Sequence, residues 1–318
     1  MESTVTPNQQ PSPPGTTNAV QQIRPNSAPI SADYAALGVT SGYCPPSAKK
    51  VRLYLLGPSG GGKSSFIAGQ ARTLILDFDD GANSVPNGLA HRIHINSIDK
   101  LEVVITKLEA DAKAGKPQYD RVVWDTFDWY LDLLNPYLAV KHSDAAKGII
   151  LEDITDYGSK GAGWSILRIA AWNYVLRVEH AGYGWTCVSH LTEKTITENY
   201  KEKTVIRPVL SASIHQQIGR SCHIVANIYP MIVREQQTRL VGGKQVPCEF
   251  KELIKYFMVF QNTENFSSMN GGKARGIPPL QGKILLPDPY SDSVTSGWDT
   301  FEKIYSEAVE RVRAKLVS

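Results

Sequence analysis

Residues 51–65 read VRLYLLGPSGGGKSS, and the fold turns on them. An apolar run of strand length stops at Gly57. From Gly57 to Ser64 the residues then fit the spacing G-x-x-x-x-G-K-[ST] of a phosphate-binding loop. Gly57, Pro58, Ser59, Gly60, Gly61, Gly62, Lys63, Ser64 and Ser65 would form the cradle. Glycines let successive backbone N–H groups converge on phosphate oxygens, and the N-terminus of the helix expected over 63–71 adds its positive dipole end. Lys63 is long enough to reach the β- and γ-phosphates, and the Ser64 hydroxyl suits a Mg²⁺ ion. A strand before the motif and a helix after it are the context the chemistry needs. The stretch therefore predicts binding of a nucleoside triphosphate with Mg²⁺. The bland alternative is a glycine-rich turn with a solvated lysine.

Outward from the loop, apolar runs alternate with helical periodicity. Strands are expected at 73–78 (TLILDF), 92–95, 121–125 (RVVWD) and 185–190 (WTCVSH). Helices are expected at 98–114, 127–138 and 163–181. Alternation of this kind predicts an α/β fold with a mainly parallel central sheet covered on both faces. After Leu191 the texture changes to β-hairpins. ITENYKEKTVIRPVL reads as one, and TRLVGGKQVPCEF as a second that turns at Gly242–Gly243. Residues 223–233 and 256–261 read as further strands, and 298–316 as a C-terminal amphipathic helix. Trp124, Trp129, Trp164 and Trp172 lie in periodic apolar segments and read as core.

Two acidic positions complete the chemistry that a phosphate-binding loop requires. Asp125 closes the buried strand RVVWD, where a carboxylate can hold the metal through water, the reading the loop favours; the alternative is that it merely caps the helix that follows. Thr126 comes next, so a water-activating carboxylate must come from elsewhere. LILDFDDG supplies Asp77, Asp79 and Asp80 where the second strand leaves the sheet. Asp79 either forms a turn with Gly81 or orients water on the γ-phosphate.

The 318 residues carry 34 basic and 31 acidic side chains, a formal charge of +3. That is too little to make the whole chain a polycation, so any binding to nucleic acid must be local. No apolar run approaches a membrane span, and the first residues lack the charge and apolar core of a secretory signal. The four cysteines show no metal-finger spacing. The chain reads as soluble and cytoplasmic, with no membrane partner. Residues 1–46 hold eight of the 19 prolines and three charges, Glu2, Arg24 and Asp33. They read as a disordered tail, and 47–318 as a single domain.

Together GPSGGGKSS, LDFDDG, RVVWDT and WTCVSHLTEK resemble the RecA-like ATPases, in particular compact phage-encoded members that serve single-strand annealing and recombination. The resemblance spans about residues 50–290 and implies an ATPase with ATP and Mg²⁺ as cofactors, acting on single-stranded DNA in recombination, annealing or replication. It implies a host-cytoplasm location and self-association into a ring or filament. The tail would then meet a phage or host replication or recombination protein. In that family the fourth strand ends in a polar sensor of the γ-phosphate, and His190 matches its position; otherwise this is a structural histidine at a strand end. Lys273 and Arg275, in GGKARG, resemble the basic fingers such assemblies insert into a neighbour's site, or else form a solvated loop. Asp79 departs from the usual glutamate, which implies slow hydrolysis. DNA binding rests on the resemblance, because residues 193–207 carry four basic and three acidic side chains. Two rivals stand beside this reading: a P-loop kinase of a small acceptor, which would want an arginine-rich lid, and a nucleotide-switched assembly factor without DNA.

Overall fold

The computed structural model describes residues 33, 45–81, 88–159, 161–198, 201–241, 243–260, 273–274, 280, 282–288 and 295–317. The tail, apart from Asp33, Pro45 and Pro46, lies outside them, as does Arg275. Residues Pro45–Val312 form one compact unit.

The strands are β1 (Leu53–Gly57), β2 (Thr73–Asp77), β3 (His91–His94), β4 (Arg121–Asp125), β5 (Gly184–Glu198), β6 (Lys201–Pro208), β7 (Ile224–Val241), β8 (Lys244–Val259), β9 (Lys273–Ala274) and β10 (Lys283–Leu286). The helices are α1 (Lys63–Ala68), α2 (Ile98–Lys113), α3 (Phe127–His142), α4 (Ala162–His180), α5 (Ala212–Ser221) and α6 (Gly297–Val317). The main sheet runs β3-β2-β4-β5-β1-β7-β8-β10. Strands β3 to β7 in that order are mutually parallel, and β8 and β10 add antiparallel pairings. The α/β class and the mainly parallel sheet follow as expected.

The central strands are buried on both faces, so they read as continuous apolar runs with no alternation. Every residue of β1, β2 and β4 is buried. On one face α2 presents Ile98, Leu101, Ile105 and Leu108 at helical spacing to a core that includes Leu76, Trp124 and Leu134. Each such side chain contributes about 1.5–3 kcal/mol. Ser97 starts α2 by accepting a hydrogen bond from the Lys100 N–H at 3.2 Å. Elsewhere Phe66 of α1 meets Trp298 and Phe301 of α6, with ring centroids 5.6 and 5.9 Å apart.

Several elements run further than their sequence patterns suggested. Strand β5 continues past His190 to Glu198 and pairs with β6 as an antiparallel arm. The second hairpin turns where expected, but it absorbs the strands read separately at 223–233 and 256–261 into the long pair β7 and β8. Helix α3 passes through Pro136 to His142. Helix α5 was not foreseen: its buried Ile214, His215 and Ile218 are too few and too polar to stand out. The tryptophans divide. Trp124 is fully buried, whereas Trp129 and Trp164 are 50% and 46% exposed and so are not core.

The strand order also fixes the site. Parallel strands deliver their C-terminal ends to one edge, where ligands of open α/β sheets bind. Because β5 lies between β1 and β4, its residue His190, where the strand leaves the main sheet, falls between the glycine loop and Asp125. Gly57 is in register with His190, and Asp77 with Asp125.

Candidate nucleotide-binding site

The loop is shaped by what glycine permits. Gly57 runs so close to β7 that a Cβ there would lie 2.2 Å from the Ile228 carbonyl oxygen. Gly62 caps α1 at φ 89°, in the left-handed region. Within the loop the Gly61 N–H donates to Pro58 O at 3.1 Å. Lys63 is 5% exposed, and its Nζ donates to the carbonyls of Gly57 at 3.0 Å and Pro58 at 2.7 Å. Burial pushes its pKa down, opposed by Asp125, Asp128 and Asp79. The ammonium is thus folded onto its own loop.

Asp125 is buried at the end of β4 and bonded to the Ser64 side chain. Thr126, not Asp125, is the N-cap residue of α3. The capping alternative for Asp125 therefore gives way to an inward-facing carboxylate. Burial pushes its pKa up to about 6; Asp79 and Asp77 push the same way, while Ser64 and Lys63 oppose. Among the described residues Asp125 Oδ1 and Thr126 Oγ1 are buried without a hydrogen-bond partner. Such atoms are costly unless something meets them. A carboxylate and a serine hydroxyl side by side, with an unmet oxygen, form the hard-oxygen set that Mg²⁺ takes together with phosphate oxygens and water.

Asp79 is exposed, and its Oδ1 accepts the Gly81 N–H at 3.0 Å, so it does form the turn. It also lies close enough to influence Lys63 and Asp125. The buried acid of that strand end is Asp77, 1% exposed and beside Asp125. Sequence reading left it unassigned; strand alternation points Asp77 and Asp79 to the same side and so does not tell the buried acid from the exposed one.

His190 ends the buried part of β5. Its Nδ1 lies 2.7 Å from Asp128 Oδ2, and its backbone N–H donates to Asp128 Oδ1 at 3.3 Å. Asp128, on the first turn of α3, is 8% exposed. Burial raises its pKa, but the His190 pair and the Ser189 hydroxyl outweigh that and hold the carboxyl below the usual range. Ser189 also bonds the buried Tyr54 hydroxyl, which lies 3.1 Å from His215 Nδ1. Asp128 carried no sequence signal, because its partner is 62 residues away. Lys273 is placed in β9, which pairs with β7 at Val225; Arg275 falls outside the described residues.

The fold and this edge now stand beside one comparison: a family model described as AAA domain matches residues 49–270. The chain belongs to that family. No curated protein matches it. The matched stretch of this AAA domain runs from ahead of β1 to beyond β8, so it takes in the loop, Asp125 and His190. The chain is accordingly a nucleotide-binding ATPase domain of the P-loop class. Among the described residues no helix is long and apolar enough to cross a membrane.

Proposed function

We propose that the protein is a Mg²⁺-dependent ATPase of RecA-like type that acts on single-stranded DNA in phage recombination, annealing or replication. The observation that carries the catalytic part is the pairing of Ser64, at the end of the glycine loop, with the buried Asp125 and its unmet carboxylate oxygen. The loop N–H groups and Lys63 would hold the triphosphate, with Lys63 exchanging the Gly57 and Pro58 carbonyls for phosphate oxygens. Ser64 and Asp125 would hold Mg²⁺, which offsets phosphate charge when bound. Asp79 would orient the attacking water through the carboxylate oxygen not engaged by Gly81. His190, placed between loop and metal acid, would meet the terminal phosphate.

DNA enters through connectivity. The β5–β6 arm leaves the sheet immediately after His190, so a change at the phosphate is felt at its base. Lys194, Lys201, Lys203 and Arg207 lie along its register. Self-association and completion of a neighbour's site by Lys273 and Arg275 belong to the same proposal, as do a cytoplasmic location and a partner for the tail. The engagement of Asp79 by Gly81 favours one second reading, a nucleotide switch that turns over slowly and needs no DNA.

Steady-state ATP hydrolysis separates the two. It is measured with and without single-stranded DNA over a range of protein concentrations, with Lys63→Ala as the blank. The RecA-like reading expects a rate that rises with DNA and more than linearly with protein. Nucleotide binding with negligible turnover, indifferent to both, would leave the switch.

A further inference from the structure

The contact between His190 and Asp128 says more than that a histidine is anchored. The carboxylate of Asp128 only accepts hydrogen bonds, and its two oxygens meet the His190 backbone N–H and Nδ1. Nδ1 therefore carries the hydrogen, and Nε2 is the ring nitrogen left for a ligand. It has no partner among the described residues. In the neutral ring Nε2 presents a lone pair, which repels a phosphate oxygen. In the imidazolium it presents N–H, which donates to one.

We propose that Asp128 is a positioning residue that makes His190 a proton-gated detector of the terminal phosphate of a nucleoside triphosphate. By holding Nδ1–H, Asp128 ties the phosphate-binding form of His190 to the protonated ring. This rests on the reading of His190 as facing that phosphate. The charged and titratable groups that act on Asp128 are Lys63 of α1, Tyr54 of β1 and Asp132 on α3, and Lys63 in turn feels Asp125 at the end of β4 and Asp79 beyond β2. Preference for triphosphate over diphosphate should therefore be larger at low pH, where Nε2 can carry a hydrogen as well, than at high pH, where Asp128 keeps the one ring hydrogen on Nδ1.

The amide variant sharpens this. In Asp128→Asn the His190 backbone N–H still requires an acceptor, so the amide oxygen takes that place and the NH₂ turns to Nδ1. The neutral ring then carries its hydrogen on Nε2 and can donate to phosphate without being charged.

The test is the ratio of dissociation constants for Mg-ADP and a non-hydrolysable Mg-ATP analogue, measured from pH 5.5 to 8.5 on the full chain. His190→Gln keeps an N–H donor that cannot titrate, so it reports the pH dependence of the nucleotides themselves. Relative to that baseline, the wild-type ratio should fall about tenfold across the range, the size of one charge-assisted hydrogen bond. Asp128→Asn should hold its ratio and exceed wild type at pH 8.5. The double variant should match His190→Gln alone. The proposal is overturned if Asp128→Asn tracks wild type or loses preference evenly at all pH values. It is also overturned if Asp128→Asn still alters binding in the His190→Gln background. Should Asp128→Asn fail to fold, the comparison of wild type with His190→Gln still decides: parallel curves overturn it. Bound nucleotide with a flat ratio removes this proposal alone, whereas no bound nucleotide removes the nucleotide site as well.

Discussion

At the scale of single residues, the site gathers buried charges that act on one another. Asp125 illustrates this. Its pKa near 6 lies above the ordinary 3.8 because it is buried beside other acids. Between those values the folded protein keeps a proton that the unfolded chain releases, so stability falls as pH rises through that window and stays lower above it. Asp125→Asn removes the titration and should stabilise the nucleotide-free protein at pH 7.5 by roughly 2–3 kcal/mol. The gain should vanish near pH 3. Chemical denaturation at the two pH values checks this, and an unchanged or lower stability at pH 7.5 would mean the carboxylate is better satisfied than its unmet Oδ1 implies. The same substitution should weaken Mg-nucleotide binding, so the residue that costs stability is the one the ligand needs.

At the scale of elements, the connections are made by groups whose partners are distant in sequence. Arg121 begins β4 and is fully buried. Its guanidinium donates to Trp185 O at 3.0 Å and Thr186 Oγ1 at 2.8 Å on β5, and to Ala48 O at 2.8 Å, and it lies 4.8 Å from the Trp298 ring of α6. Arg121→Met keeps much of the volume but strands those acceptors, and should lower the unfolding free energy by about 2–4 kcal/mol. The urea midpoint should drop accordingly, while residual nucleotide affinity in the folded fraction stays near wild type. A neutral effect would show the buried cation to be dispensable. Legibility follows the same division. The glycine loop and the strand ending at Asp125 were readable because their spacing is local and their apolar runs are continuous. The Asp128–His190 pair, the inward placement of Asp77 and the Arg121 clamp were not, since each arises only when the strand order β2-β4-β5-β1 brings remote positions together. Helix α5 and the exposed Trp129 and Trp164 mark the other limit. Short or aromatic-rich helices show a periodicity that does not say which face finds a partner.

At the scale of the whole molecule, a ligand that binds only the folded state raises the stability of the entire unit. Saturating Mg-nucleotide at about 100 times its dissociation constant should add about 2.7 kcal/mol and raise the melting temperature by a few degrees. Mg²⁺ without nucleotide should add less, because the phosphate oxygens that complete its shell are then missing. A calorimetric titration of Mg-ATP into wild type and Lys63→Ala bears most directly on the nucleotide site. Wild type should bind at one site per chain. Lys63→Ala should lose about 100-fold or more in affinity, because two charge-assisted contacts to phosphate disappear. Equal affinity of the two proteins, or no heat with either, would contradict the placement of the nucleotide on the Gly57–Ser64 loop.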